Sequence, residues 1–179
     1  MWIALFLLAA GAAVIGFTVW PDAGPAENPL AENPGKRSSE IPGESFPDEG
    51  SEHIDIPQKV TYQTDPPTSG PHYSGVVRPG FHTETALPEL LVHNLEHGNI
   101  VIYYDPEGAS EETLKSLREL ADRYRGTFDG VVVVPHTDPQ NPIILTAWRH
   151  MLRLPAWDPK QVDAFIDAYR GRGPEKKVR

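Results

Sequence analysis

The chain has 179 residues, a formal net charge of −9, seven histidines, two methionines and no cysteine. That length suits one ordinary domain with appendages, and the missing cysteine excludes disulfides, thiolate metal sites, thiol redox chemistry, a thiol nucleophile and a lipid-modified N-terminal cysteine. The acidic balance argues against a nucleic-acid partner, because the one basic run is the tail Arg170, Arg172, Lys176, Lys177 and Arg179.

Residues 1–20 carry no charged side chain and have the length and apolarity of a membrane-crossing helix. A cleaved signal peptide would begin with a basic region, which is missing here, so an uncleaved single-pass anchor is favoured over a signal peptide. The acidic residues that follow, Asp22, Glu27 and Glu32, place the rest of the chain on the extracytoplasmic side of the cytoplasmic membrane. Residues 21–51 are rich in Pro, Gly, Glu, Ser and Asn and hold few large apolar side chains, which predicts a disordered linker. Seven acidic residues there, against Lys36 and Arg37, carry −5 of the net charge.

One globular domain is expected over residues 52–175, followed by a basic tail at 176–179. Lys59 to Tyr62 reads as a short strand. Asp65-Pro66-Pro67-Thr68-Ser69-Gly70-Pro71-His72 is too rich in Pro and Gly for helix or central strand and reads as a stiff loop presenting His72. Val76 to Phe81 is a weak strand. Pro88 opens a short helix that runs through Leu91, Val92 and Leu95 to His97 and is closed by Gly98. Ile100 to Tyr104 is a buried strand.

Ser110 caps a helix whose Leu114, Leu117, Leu120, Ala121 and Tyr124 recur at helical spacing, with an exit at Gly126. Val131 to Val134 and Ile143 to Trp148 are two further strands, and Asp158-Pro159 starts a last helix with Val162, Phe165, Ile166 and Tyr169 on its inner face. This order predicts an α+β fold, a mixed β-sheet with about three helices packed on it, and its later βαββα half would also suit a thioredoxin-like arrangement.

The chemistry concentrates in His93-Asn94-Leu95-Glu96-His97-Gly98. On a helix, His93 and His97 lie one turn apart on one face and can hold one metal ion between them. His72, on its proline-stiffened loop, is the third expected ligand, with His53, His150 and Met151 as candidates for a fourth position. Copper is favoured slightly over zinc, because a methionine thioether beside imidazoles suits a soft ion. His82, like His53, could approach the same place but lies where a surface histidine is ordinary, and His136 reads as a surface residue. Ordinary roles compete at each site: backbone bonding for His93, a cation at a helix C-terminus for His97, core filling for Met151.

The first five of these residues, His93 to His97, also spell H-x-x-E-H, the inverted zinc-peptidase pattern, in which Glu96 would be the general base. The small domain and the want of a third carboxylate ligand on a later helix argue instead that Glu96 orients a histidine or lies in solvent. Ser69 lacks the strand-to-helix elbow of a serine nucleophile.

Tyr62, Pro66-Pro67-Thr68-Ser69-Gly70-Pro71-His72, Val92-His93-Asn94-Leu95-Glu96-His97-Gly98, Val101-Ile102-Tyr103-Tyr104, Leu145-Thr146-Ala147-Trp148 and Arg170-Gly171-Arg172-Gly173-Pro174-Glu175 occur in this order. Together they resemble a bacterial family, the domain of unknown function 3105. The resemblance implies an N-terminal membrane segment, a polar linker and one outer domain, and it strengthens His72, His93 and His97 as members of one site. His53 also fits the family's domain start, whereas His82 and His136 do not fit its pattern. No activity is implied. The expected function is therefore a membrane-anchored extracytoplasmic domain binding copper or zinc as a carrier or sensor. The alternatives are a metal-dependent hydrolase using Glu96 and a metal-free protein-interaction module.

Overall fold

The computed structural model describes residues 41–138 and 140–179. The expected membrane segment at 1–20 and most of the linker lie outside the described residues, among which no helix is long and apolar enough to cross a membrane. In chain order the elements are β1 (Glu44–Ser45), β2 (His53–Ile54), β3 (His72–Tyr73), β4 (Gly80–Phe81), α1 (Pro88–His97), β5 (Ile100–Tyr104), α2 (Glu111–Arg123), β6 (Val131–Pro135), β7 (Ile143–Ala147), β8 (His150–Leu154) and α3 (Pro159–Tyr169). Six strands form a mixed sheet in the order β1-β8-β7-β5-β6-β4, and β2 pairs with β3 in a separate parallel ribbon. The fold is α+β, a mixed sheet with three helices, as the sequence predicts.

Strands β5 and β6 are unbroken apolar runs because both their faces are covered. They pair in parallel through the α2 crossover, while β7 runs antiparallel to β5 and β8 antiparallel to β7. Alternation along each strand divides the core in two. Ile100, Ile102, Val131, Val133, Ile143 and Leu145 face α2 and α3, where Leu117, Leu120, Val162, Phe165 and Ile166 meet them. Val101, Tyr103, Val132, Val134, Ile144 and Met151 face the other way, toward Leu91 and Leu95 of α1.

Several sequence expectations need correction. Lys59–Tyr62 forms no strand; its side chains engage neighbouring segments instead, Tyr62 Oη donating to Pro71 O at 2.8 Å in the His72 loop and Lys59 Nζ lying 3.7 Å from Glu89 Oε1 of α1. The strand expected at Val76–Phe81 shrinks to Gly80–Phe81, because the Asn94 side chain takes both backbone groups of Val77 and Pro79 has no N–H to give. Helix α2 ends at Arg123 rather than near Gly126, with Tyr124 extended and its carbonyl accepting from Val131 N. The linker reading of 21–51 gives way from residue 41 onward: β1 pairs with β8, and Phe46 packs against the α1 layer.

Candidate metal centre

The loop that carries His72 is fixed by backbone bonds on two sides. Arg149 N, at the tip of the β7–β8 hairpin, donates to Thr68 O at 2.8 Å. From the other side Glu49 N donates to Ser69 Oγ, Gly70 N to Gly50 O and His72 N to Glu52 O. Gly70 adopts φ +122, and a Cβ there would lie 2.9 Å from the Tyr62 ring, so only glycine lets the loop pass beneath that tyrosine. The parallel ribbon sets His53 opposite His72, which puts both side chains on the same side. His72 is fully buried.

Helix α1 supplies the second half. Pro88 occupies its first turn and Gly98, at φ 97, closes it in the left-handed conformation. His93 and Glu96 lie three residues apart and so on one face. The intervening Asn94 is buried; its side chain donates to Val77 O at 2.8 Å and accepts from Val77 N at 2.9 Å. That clamp holds the 75–77 segment against the helix, where Gly75 O meets His93 Nδ1 at 3.2 Å.

The three rings of His53, His72 and His93 form a nearly equilateral triangle, with centroid separations of 5.0, 4.9 and 5.0 Å. Glu96 Oε2 sits among them, 3.2 Å from His72 Nε2 and 3.9 Å from Nε2 of both His53 and His93. One ligand atom from each of the four residues lies within 4.8 Å of every other.

A ring nitrogen facing a carbonyl must be the donor. His72 Nδ1 therefore donates to Gly70 O at 2.9 Å, and His93 Nδ1 donates to Gly75 O. Both Nε2 atoms then face a carboxylate oxygen, His72 Nε2 within hydrogen-bonding distance of Glu96 Oε2, so that either a proton or a metal ion can join ring and carboxylate. Burial, followed by the fields of His97, His72 and His53, pulls the His93 pKa below the ordinary histidine value, with Glu96 opposing. A neutral imidazole whose Nδ1–H is held by a carbonyl is oriented as a metal-ligating histidine is.

The remaining predicted residues lie elsewhere. His97 is in contact with His93, at 4.5 Å between ring centroids, but its Nε2 pairs with Glu175 Oε2 at 2.8 Å and its ring stacks on Phe128. His150 is buried against Tyr169, accepts or donates at Nδ1 to Ser45 Oγ, and has its pKa pushed down by burial to about 4. Met151 fills the apolar layer with Leu95. His82 bonds to Arg78 O, and His136 rests edge-on to Tyr103. Ser69 Oγ is taken up by Glu49 N.

Three participants escaped the sequence reading in whole or part. Glu96, read as an orienting or solvent residue, is at the middle of the triangle. Asn94 had no assigned role, although a buried-facing amide between two histidines was a usable signal. Glu175 comes from the chain's far end. Its N–H donates to Glu96 O at 3.3 Å, and Gly171 N donates to Gly98 O, so residues 171–175 strap the end of α1. A Cβ on Gly173 would fall 2.1 Å from Glu96 O, which is why the strap crosses the helix end on glycine.

Residues 53–179 match the family described as a protein of unknown function, DUF3105, and the chain belongs to that family. No curated protein and no solved structure matches it.

Proposed function

We propose that this member of the DUF3105 family is a membrane-anchored, extracytoplasmic domain that binds one first-row transition-metal ion, copper or zinc, through His53, His72, His93 and Glu96, as a carrier or sensor. The observation that carries this reading is the commitment of His72 Nδ1 and His93 Nδ1 to backbone carbonyls, which turns both Nε2 atoms toward Glu96 Oε2. Three imidazole nitrogens and one carboxylate oxygen make a complete donor set for Cu(II) or Zn(II), of which Cu(II) binds such sets more tightly. With Met151 among aliphatic side chains, the thioether argument for Cu(I) loses its donor. The later-half order β8-β7-β5-β6 suits a thioredoxin-like arrangement, a likeness of strand order alone. Anchor and location rest on the apolar run at 1–20.

The position of Glu96 Oε2 among three imidazole nitrogens favours a ligand role over that of a base waiting on a bound water, which weighs against the hydrolase reading. The test is uptake by the full chain, purified in detergent at about pH 7.5, where imidazole is neutral. One Cu(II) or Zn(II) per chain is expected by elemental analysis and calorimetry, with a marked loss of affinity in His72→Ala. No uptake of either ion, or unchanged affinity in that variant, overturns the proposal.

A further inference from the structure

A second group of donor atoms adjoins the first: His93, His97 and Glu175 also offer ligand atoms that all lie within 4.8 Å of one another. His93 belongs to both groups. Its Nδ1 is engaged with Gly75 O, so it has a single nitrogen, Nε2, to offer an ion. One imidazole nitrogen cannot serve two ions at once, and the groups are therefore alternatives for one ion rather than halves of a two-metal cluster.

The two groups open to solvent at different residues. His53 is 52% exposed on the side of the first group, and Glu175 is 45% exposed on the side of the second, while His93 between them is 8% exposed. From this geometry we infer that the domain holds its ion in two alternative positions and passes it between them. In the first, His53, His72, His93 and Glu96 hold it; in the second, His93, His97 and Glu175 do. This inference rests on the metal reading of the first group.

Transfer proceeds by exchange of ligands around a fixed one. His93 stays bound while His53, His72 and Glu96 leave and His97 and Glu175 arrive. The arriving ion displaces the hydrogen that His97 Nε2 shares with Glu175 Oε2, which passes to solvent by way of the half-exposed Glu175 carboxylate. One proton is released as the ion enters the second position and one is taken up again when it leaves. The first position has four protein donors and the second three, so the ion rests in the first and leaves through the second.

The second position also depends on the C-terminal strap. Glu175 reaches His97 because residues 171–175 are bound to the end of α1 through Gly171 N to Gly98 O and Glu175 N to Glu96 O. Arg170, just before the strap, is anchored by bonds from Nη1 to Asp129 O and Oδ2, both at 2.8 Å. The Arg-Gly-Arg-Gly-Pro-Glu ending thus has a task beyond closing the fold: it delivers a carboxylate to the exposed side of the shared histidine.

The probe is Cu(II) on the full chain in detergent, read by calorimetry, by counting coupled nitrogens in electron paramagnetic resonance, and by the rate of loss to an excess of external chelator. His97→Gln and Glu175→Gln should each slow the release of bound Cu(II) by at least about tenfold. The double variant His53→Ala/His72→Ala, which leaves one nitrogen in the first group, should still bind one Cu(II) through two nitrogens, more weakly than wild type. Adding His97→Gln to it should abolish binding. Wild-type release rates in both single variants overturn the two-position inference while leaving the first site intact. So does a double variant whose residual Cu(II) is indifferent to His97→Gln. A wild-type chain that takes up no Cu(II) instead brings down the metal reading itself, and this inference with it.

Discussion

On the face covered by α2 and α3, the sheet meets Leu117, Leu120, Val162, Phe165 and Ile166, and the buried side chains are mainly aliphatic or aromatic, with Thr113 of α2 and His150 of β8 as buried polar members. The face under α1 keeps an apolar patch around Leu91, Leu95 and Met151, yet it also buries His72, His93, Asn94, Thr68, Ser69 and Thr146. Three of its hydroxyl oxygens, Thr68 Oγ1, Tyr103 Oη and Thr146 Oγ1, have no hydrogen-bond partner among the described residues. Each such group costs on the order of 1–3 kcal/mol when sealed from water. The first face holds the fold together and the second accepts a loss of stability to place polar atoms.

The sharpest way to break that division is to hollow out the first face. Phe165 is fully buried, and Phe165→Ala should lower unfolding stability by about 3–5 kcal/mol through lost transfer energy and the cavity left behind. Where the variant remains folded at low temperature, its Cu(II) or Zn(II) uptake should match wild type, because Phe165 touches none of the four proposed ligands. Denaturant melts read the first effect and calorimetry the second. A variant with full stability would show that the α3 layer is not the structural face.

A smaller effect should appear with pH on that face. His150 is buried, and its pKa is depressed from 6.5 to about 4 by burial first and the Arg149 charge second. Between those values the unfolded chain binds a proton that the folded chain refuses, so stability is lost as pH falls from about 6.5 to about 4, with no further loss from this group below that. The whole window is worth on the order of 3 kcal/mol. His150→Gln should reduce the difference between urea midpoints measured at about pH 7 and about pH 4.5, even if it lowers both. An unchanged difference would mean that His150 gains a proton without strain.

What was legible beforehand divides along the same line. Helix α2 could be read because its cap, its acidic first turn and its apolar stripe are all local, and β5 and β6 because a strand buried on both faces leaves an uninterrupted apolar run. His72 and His93 stood out by loop stiffness and helical spacing. His53 ranked below them because its place beside His72 is created by a parallel pairing between segments distant in sequence, which no local pattern announces. Glu175 was hidden for the same reason, being brought to His97 by a strap at the end of the chain. Lys59–Tyr62 had the alternation of a strand, but its side chains engage the His72 loop and α1 instead. On the dry face local pattern suffices; on the polar face, long-range pairing selects which of seven histidines meet.

Metal should sharpen the comparison from the other side. An ion that binds only the folded chain raises stability by about 2.7 kcal/mol at one hundred times its dissociation constant. The full chain should therefore melt at higher temperature with Cu(II) or Zn(II) in excess, and a chelator should reverse the shift. His72→Ala should cut the shift to the small remainder that His93, His97 and Glu175 can support, whereas Phe165→Ala should keep it on a lower baseline. A full-size shift in His72→Ala would move the ion away from the triangle.

The mildest test returns to the dry face, at the start of α2. Ser110 caps that helix, its Oγ accepting from Thr113 N at 3.2 Å and so satisfying one of the N–H groups that the first turn leaves without a helical partner. Ser110→Ala should cost about 1 kcal/mol. The loss should arise entirely from the fold, since α2 packs on β4 and β6 and supplies no donor to either histidine group. Metal uptake and release in this variant should equal wild type, and its melting temperature should rise on metal addition by the wild-type increment. If the increment changes, the two faces are coupled through the sheet, and the separation of structural and ligand-binding roles would have to be abandoned for a fold that tightens as one body when the ion binds.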